Sequence, residues 1–227
     1  MRTLFYPAFD QLEIRDVDLT PLKPDEVRVR VAACGVCGSE LESFKTHSPR
    51  RPPPLVMGHE FCGEVVETGA DVQGWKTGAR VVSNSLVPCG RCVRCERGDT
   101  HLCAHRQVFG MHRAGAFAEY CNVPARCLIP WPENVPAEAA ALAEPMANGL
   151  HVTNLTRHVS AATALVIGAG PIGLFCQQAL QVVRGAKVYV ADLSPERLAT
   201  AKKLGAVRTI NPREEDVVKV IQAETGG

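Results

Sequence analysis

The feature that most restricts how this chain folds is a compact run of four cysteines with the spacing C-x2-C-x2-C-x7-C. The run consists of Cys89, Cys92, Cys95 and Cys103. Spacings this short let successive thiolates surround one tetrahedral ion, and four thiolates leave no coordination position open for a substrate. Packing into a core is a poor alternative, because Arg91, Arg94 and Gly98 lie between the cysteines. We therefore predict a structural zinc site in this segment.

The sequence holds ten cysteines, yet residues 1–7 lack the apolar segment of a secretory signal. Disulfides rarely persist in the cytosol, so we expect a cytoplasmic protein whose thiols are held by metal or kept reduced. An iron–sulfur cluster competes with zinc for the four-cysteine run, because compact cysteine triplets also hold clusters. Against the cluster, no proline follows Cys103.

Charge and hydropathy limit the class of partner. Lys and Arg number 25 and Asp and Glu 24, which gives a formal net charge of +1. A balance this even offers no electrostatic reason to bind nucleic acid or an anionic membrane surface. The most apolar stretch, residues 161–183, is interrupted by glycines, a proline and glutamines, which a membrane span would bury unfavourably. We expect a small-molecule partner, with no nucleic acid and no membrane.

The hydrophobic period changes along the chain and predicts two domains. From residue 26 to about residue 82, short β-branched runs alternate with glycine and proline, which predicts antiparallel strands. Residues 83–135 are rich in turn formers, with one strand-like segment at 117–123. Short helices are expected over 136–151. We place a β domain at 1–158 and a second domain at 159–227.

The second domain reads as alternating strands and helices, the start of a doubly wound parallel sheet. We predict strands at 163–167, 187–191 and 207–211, and helices at 171–184, 195–204 and 214–225. Gly168-Ala169-Gly170-Pro171-Ile172-Gly173 follows the first strand and opens a helix, the context in which such glycines let a backbone approach a pyrophosphate. The alternative is a strand-turn-helix whose glycines serve close packing alone and bind no ligand.

Asp192 ends the next strand 19 positions beyond Gly173, close to the offset expected for an acid that binds the ribose hydroxyls of a dinucleotide. A carboxylate there accepts from a free 2′-hydroxyl and repels a 2′-phosphate, which favours NAD over NADP. Arg197 leaves the choice partly open, since an arginine also suits a phosphate. The predicted cofactor-binding residues are Gly168, Gly170, Ile172, Gly173, Asp192 and Arg197.

Two further motifs carry a family resemblance. They are Cys34-Gly35-Val36-Cys37-Gly38-Ser39 and Gly58-His59-Glu60-Phe61-Cys62-Gly63. Together with the glycine motif, in this order, they resemble the zinc-dependent medium-chain alcohol and polyol dehydrogenases, in the branch similar to sorbitol dehydrogenase. The resemblance implies a GroES-like antiparallel β catalytic domain followed by the first half of a Rossmann doubly wound parallel sheet. It also implies a second, catalytic zinc, so that two Zn²⁺ ions and NAD are the expected cofactors.

The resemblance assigns the catalytic zinc to Cys37, His59, Glu60 and Glu144, with Ser39 taking the proton of the alcohol. The Glu144-Pro145 step is similar to that of the polyol branch. A secondary alcohol, a polyol or sugar alcohol above all, is then the implied substrate, and hydride passes to NAD. Taken singly, each of these residues has an ordinary structural role, but their joint occurrence in matching motifs favours the metal site. A redox pair of Cys34 and Cys37 is disfavoured, because no thioredoxin-like context surrounds it.

The chain departs from the family pattern where Glu40-Leu41-Glu42 replaces the usual Asp-x-His, so the relay histidine is missing at Glu42. Either Glu42 carries protons itself or the relay is shorter. The family's chains also continue beyond the half sheet seen here, so we expect a C-terminally truncated member that is a homo-oligomer in its full-length form. The alternative is a zinc-stabilised fragment that binds metal and, weakly, nucleotide without efficient turnover.

Overall fold

The computed structural model describes residues 1–160 and 162–226. It divides into two compact units, Met1–Glu144 and the chain from Pro145 onward. This division falls in the first turn of the helix Ala143–Leu155, and the domain boundary near residue 158 stays a prediction. Each unit has its own hydrophobic core.

The first unit is built on a five-stranded antiparallel sheet, with two small sheets beside it. Its strands are β1 (Arg2–Tyr6), β2 (Glu13–Asp16), β3 (Glu26–Gly35), β4 (Leu55–Val56), β5 (Glu60–Thr68), β6 (Arg80–Ser83), β7 (Leu86–Val87), β8 (Gln107–Val108), β9 (Tyr120–Pro124) and β10 (Leu128–Pro130). The large sheet has the order β10-β6-β5-β3-β9, and the small ones are β2-β1-β4 and β7-β8. Val27, Val29, Phe61 and Val65 alternate toward one face and form its core with Phe109.

The first unit also contains a helix, α1 (Gly38–Thr46), which the prediction of strands alone over residues 26–82 misses. The helix is short, and its N-cap is Cys37, which is not a residue type that marks helix starts. Its stability depends on tertiary contacts that a local pattern does not report. The remaining short helices are α2 (Val93–Glu96) and α3 (Ala137–Ala140), with 3₁₀ turns at Thr100–Leu102 and Ala125–Cys127.

The helix α4 (Ala143–Leu155) leads into the second unit, and Pro145 lies in its first turn, where a missing N–H breaks no helical bond. The elements that follow are β11 (Thr163–Ile167), α5 (Pro171–Arg184), β12 (Lys187–Ala191), α6 (Pro195–Lys203), β13 (Arg208–Ile210) and α7 (Val217–Thr225). The three strands form a parallel sheet in the order β11-β12-β13, as predicted.

The last helix was predicted to begin at residue 214 but begins at Val217. The Asp216 side chain accepts from the backbone N–H groups of Val218 at 3.0 Å and Lys219 at 3.1 Å, and so caps the helix there. Glu214 instead accepts from the Asn211 side chain at 2.7 Å, in the turn that precedes the helix. In the part of the chain that the structure describes, none of the helices has both the length and the apolarity to cross a membrane.

We expect Gly173→Ser to lower the stability of the second unit by about 1–3 kcal/mol, because a Cβ at this position meets the carbonyl oxygen of Gly168 at 1.8 Å. Gly170→Ser is the matched control: no heavy atom lies within 4 Å of a Cβ there, and serine suits this N-cap position. Urea unfolding followed by circular dichroism compares the two variants. Equal midpoints would contradict the expected clash.

Candidate metal centres and nucleotide-binding loop

The four predicted structural ligands lie together in the first unit. Cys92 is the N-cap of α2, and Cys103 ends the following 3₁₀ turn. The sulfur atom of Cys92 lies 3.6 Å from that of Cys95 and 3.8 Å from that of Cys103, and Cys89 and Cys95 are 4.0 Å apart. Zn–S bonds of about 2.3 Å in a tetrahedron require sulfurs about 3.8 Å apart. The four thiols therefore fit one zinc ion.

Backbone amides favour the thiolate form of this cluster. The N–H of Cys95 is the main cause that lowers the pKa of Cys92, to about 6, and the N–H of Cys89 lowers the pKa of Cys103. Burial and the neighbouring sulfurs raise the pKa of Cys95 to about 11. Four sulfurs in contact cannot all ionise without a cation among them, so the donor set is one that a divalent metal completes.

A second group of possible ligand atoms belongs to Cys37, His59 and Glu60, all within 4.8 Å of one another. Cys37 stands at the N-terminus of α1, and Glu60 is the first residue of β5. His59 and Glu60 are buried, with 7 % of each exposed. A thiolate, an imidazole and a carboxylate are the ligand types of a zinc site with an open position, so these residues fit such an ion.

The carboxylate of Glu40 organises this cluster. Its Oε1 accepts from His59 Nδ1 at 2.9 Å and from the Gly58 N–H at 2.7 Å, and its Oε2 accepts from the Cys37 N–H at 3.0 Å. Glu40 is almost completely buried. Because Glu40 engages Nδ1, Nε2 is the His59 ring atom that would bind a metal, in place of its bond with Cys37.

Electrostatics couple the three candidate ligands. The bond with His59 lowers the pKa of Cys37 despite the opposing effect of burial. Burial alone would lower the pKa of His59, but its bonds with Cys37 and Glu40 outweigh burial and raise the pKa to about 10. Burial raises the pKa of Glu60, and the charge of Glu144 adds to the rise. These bonds favour a proton on the imidazole, and a metal ion that binds there would take its place.

The other predicted residues of this site are found around the cluster. The hydroxyl of Ser39 donates to Cys37 Sγ at 3.2 Å. Glu144 lies outside the compact ligand group, and its carboxylate accepts from the Ser85 hydroxyl at 2.6 Å. Glu42 is exposed on α1. Burial raises the pKa of the Cys34 thiol, which is not in the ligand group, opposite to the shift of Cys37.

The glycine loop of the second unit joins β11 to α5. Gly168 has a φ of +96°, and Gly170 is the N-cap of α5. One oxygen of Asp192 accepts from the Ala169 N–H at 2.7 Å, and the other accepts from the Ser194 N–H at 2.8 Å. These amides lower the pKa of Asp192. A charged carboxylate therefore stands beside the loop, as ribose recognition requires.

The remaining predicted cofactor residues lie at the same edge of the parallel sheet. Arg197 Nη1 is 3.9 Å from the Asp192 carboxylate, with most of its side chain exposed. The two line a surface pocket with Ile167, Gly168 and Leu193. Ile172 is half-exposed in the first turn of α5. Gly173 packs against the backbone of Gly168 and so permits the tight turn.

Sequence reasoning missed three residues that shape the metal site, namely Glu40, Ser85 and Arg51. Glu40 completes a capping box with the N-cap Cys37, but this is a weak local signal because cysteine is not a residue type that marks helix starts. Arg51 and Ser85 have no local signal. Arg51 reaches Ser39 across 12 positions and Ser85 reaches Glu144 across 59, distances that no local pattern reports.

Comparison with known proteins agrees with this architecture. Residues 23–133 match the alcohol dehydrogenase GroES-like domain, and residues 171–227 match the zinc-binding dehydrogenase domain. The chain belongs to the zinc-dependent medium-chain dehydrogenase family. The predicted GroES-like β domain followed by a Rossmann-type parallel sheet is thereby confirmed.

Individual relatives differ in substrate. The L-threonine 3-dehydrogenase of Chelativorans sp. (strain BNC1) is 39 % identical over 91 % of this chain and 60 % of its own length. The crystal structure of an Escherichia coli CFT073 short chain alcohol dehydrogenase with NADH is 36 % identical, with a TM-score of 0.92 over 100 % of this chain and 66 % of that one. Galactitol-1-phosphate dehydrogenase from Escherichia coli is 34 % identical, with a TM-score of 0.90 over 99 % and 65 %. The chain thus spans about three fifths of the curated relative it matches.

We expect the combined Cys92→Ser and Cys103→Ser changes to remove one zinc ion per chain and to loosen the surrounding loops, because two thiolates cannot hold the ion alone. Elemental analysis of the purified protein measures the loss. Cys176→Ser, in α5 and outside both ligand groups, is the control and should retain all the zinc. An unchanged zinc content in the double variant would show that the sulfur cluster is not a metal site.

Proposed function

We propose that this protein is a zinc-dependent dehydrogenase that oxidises a secondary alcohol, most of all a polyol or sugar alcohol, with NAD as hydride acceptor. The observation that carries the proposal is the buried group of Cys37, His59 and Glu60, whose ligand atoms lie within 4.8 Å of one another. Three protein ligands leave a coordination position for the substrate oxygen, whereas the four-cysteine site is closed. A site of this kind suits catalysis.

Each residue has a distinct role in this proposal. Cys37, His59 and Glu60 hold the metal, with Glu144 as a nearby carboxylate, and the bound Zn²⁺ supplies Lewis acidity that makes an alcohol proton easier to remove. Ser39 is the first group to receive that proton and releases its own hydroxyl proton to solvent in exchange, since its half-buried hydroxyl adjoins Cys37. Glu40 keeps the His59 ring in the orientation that presents Nε2.

The substrate class is supported by the acidic surroundings of the site and by the relatives. Glu60 and Glu144 offer hydrogen-bond acceptors to the additional hydroxyls of a polyol. The relatives named for threonine and for galactitol 1-phosphate are dehydrogenases of small hydroxylated molecules. A simple alcohol or a hydroxy amino acid is therefore the second candidate class. Assembly as a homo-oligomer remains a prediction.

NAD is the proposed cofactor because Asp192 is held ionised beside the glycine loop by two backbone N–H groups. Its free lone pairs suit a ribose 2′-hydroxyl, and its charge opposes a 2′-phosphate. Solved relatives include one with NADH and one with NADP, so the family alone does not decide. The carboxylate at Asp192 supports NAD as the proposed cofactor.

The proposed activity is tested by incubating the zinc-loaded chain with NAD and a panel of polyols, sugar alcohols and threonine, and following NADH formation. We expect turnover with at least one secondary alcohol. His59→Ala should reduce kcat/KM by about a hundredfold or more through loss of the metal ligand, whereas His47→Ala, at an exposed histidine, should not. Zinc and nucleotide binding without turnover on any substrate would instead favour a non-catalytic metal-binding protein.

Asp192→Ala should weaken NADH binding by about tenfold while improving NADPH binding, because it removes both the ribose acceptor and the repelling charge. Affinities for the two nucleotides, measured by calorimetry on the same preparation, give the ratio. Glu196→Ala, an exposed acid in the first turn of α6, is the matched control. Tighter binding of NADPH by the unmodified chain would overturn the proposed cofactor choice.

A further inference from the structure

Arg51 is a buried arginine in the segment between α1 and β4, with only 4 % of its surface exposed. Its Nε donates to the carbonyl of Gly110 at 3.1 Å, and its Nη1 donates to the Ser39 carbonyl and the Ser43 hydroxyl, both at 3.0 Å. In residues 1–160 and 162–226, the acceptors described for this guanidinium are neutral oxygens. Burying a charged guanidinium among neutral acceptors costs folding free energy, which suggests that Arg51 has a functional role.

The fourth hydrogen bond of Arg51, to the Ser39 hydroxyl, indicates what that role is. Arg51 Nη2 donates to the Ser39 hydroxyl at 3.1 Å, and the same hydroxyl donates to Cys37 Sγ at 3.2 Å. A serine hydroxyl has one proton to donate and two lone pairs that accept. With the proton directed to Cys37 and one lone pair taken by Arg51, a single lone pair is left on Ser39.

We propose that Arg51 is a positioning residue of the candidate active site. It fixes the Ser39 hydroxyl so that the remaining lone pair accepts a hydrogen bond from the hydroxyl of an alcohol substrate. The inference rests on the proposed function, in which Ser39 meets that hydroxyl. Since Ser39 is half-buried whereas Arg51 is buried, the serine reaches the substrate and the arginine acts through it.

This arrangement also bears on the missing relay histidine. A histidine accepts and releases protons near neutral pH, whereas a guanidinium keeps its protons and has no lone pair to offer. Arg51 therefore orients the hydroxyl without carrying a proton away from it. The bonds of Arg51 join α1 to the loop at Gly110, so two segments of the chain help to fix the position of the hydroxyl.

The first test needs no turnover. In cobalt-substituted protein, Arg51→Met should shift the thiolate-to-metal charge-transfer band, because the Ser39 hydroxyl loses its anchor and its bond to the Cys37 sulfur changes. Difference spectra between variants cancel the contribution of the unaltered four-cysteine site. The shift should be absent when Arg51→Met is introduced into a Ser39→Ala background. Arg50→Met, at the exposed neighbouring arginine, should leave the spectrum unchanged.

The second test uses steady-state kinetics with the best substrate of the panel. Arg51→Met should lower kcat/KM by about ten- to a hundredfold, as expected for one charge-assisted hydrogen bond, and should have no further effect in the Ser39→Ala background. If Arg51→Met does not fold, Arg51→Lys takes its place, because a single ammonium cannot reach all four acceptors. The same dependence on Ser39 is expected.

An unchanged cobalt spectrum in the Arg51 variant would overturn the inference. So would an equal effect of the Arg51 change with and without Ser39, because a purely structural arginine acts regardless of the serine. If no form of the chain turns over any substrate, the proposed function fails. The comparison of cobalt spectra then still shows whether Arg51 orients the Ser39 hydroxyl.

Discussion

The candidate active site depends on one buried carboxylate, that of Glu40. Its two oxygens accept from the Cys37 N–H, the Gly58 N–H and the His59 ring, so a single side chain ties the start of α1 to the approach of β5. Two motifs about twenty positions apart in sequence are brought within ligand distance by these bonds. The same carboxylate engages Nδ1 of His59 and so orients the ring with Nε2 as its metal-binding atom.

The glycines of the two motifs make this close approach possible. A Cβ on Gly35 would lie 2.5 Å from Glu60 Oε2, so any larger residue there displaces a candidate ligand. Gly58 has a φ of +99°, and a Cβ on it would lie 2.7 Å from the Phe117 N–H nitrogen. At both positions a side chain would collide with its neighbours. Gly35 in this way leaves space for Glu60, and Gly58 permits the backbone conformation that precedes His59. The Gly-His-Glu sequence is thus a packing requirement as well as a set of ligands.

The parts of the structure that sequence predicts well are those whose signal is local. The spacing of Cys89, Cys92, Cys95 and Cys103 describes one loop, and the structure brings these sulfurs together. The alternation from β11 to α7 also follows local periodicity, with errors of a few residues at ends such as Val217. Helix α1 was not predicted because it is stabilised by tertiary contacts, which leave no local sequence pattern. The roles of Arg51 and Ser85 escaped prediction for the same reason, since their partners are set by how the strands and loops pack.

The two candidate metal centres differ in their ligand types and in whether a coordination position is left open. In the four-cysteine lobe, thiolates alone surround the ion, and backbone amides favour their charged form. In the Cys37 cluster, Glu40 and Glu60 are buried and Glu144 is half-buried: burial raises the pKa of Glu60, and the charges of Glu144 and Glu40 add to the rise. Carboxylates that lie close together in a buried site repel one another unless a cation lies among them. A divalent ion with an open position offsets that repulsion and still accepts one more oxygen. The acidity of this site therefore favours a metal, and such a metal would leave room for the alcohol that it activates.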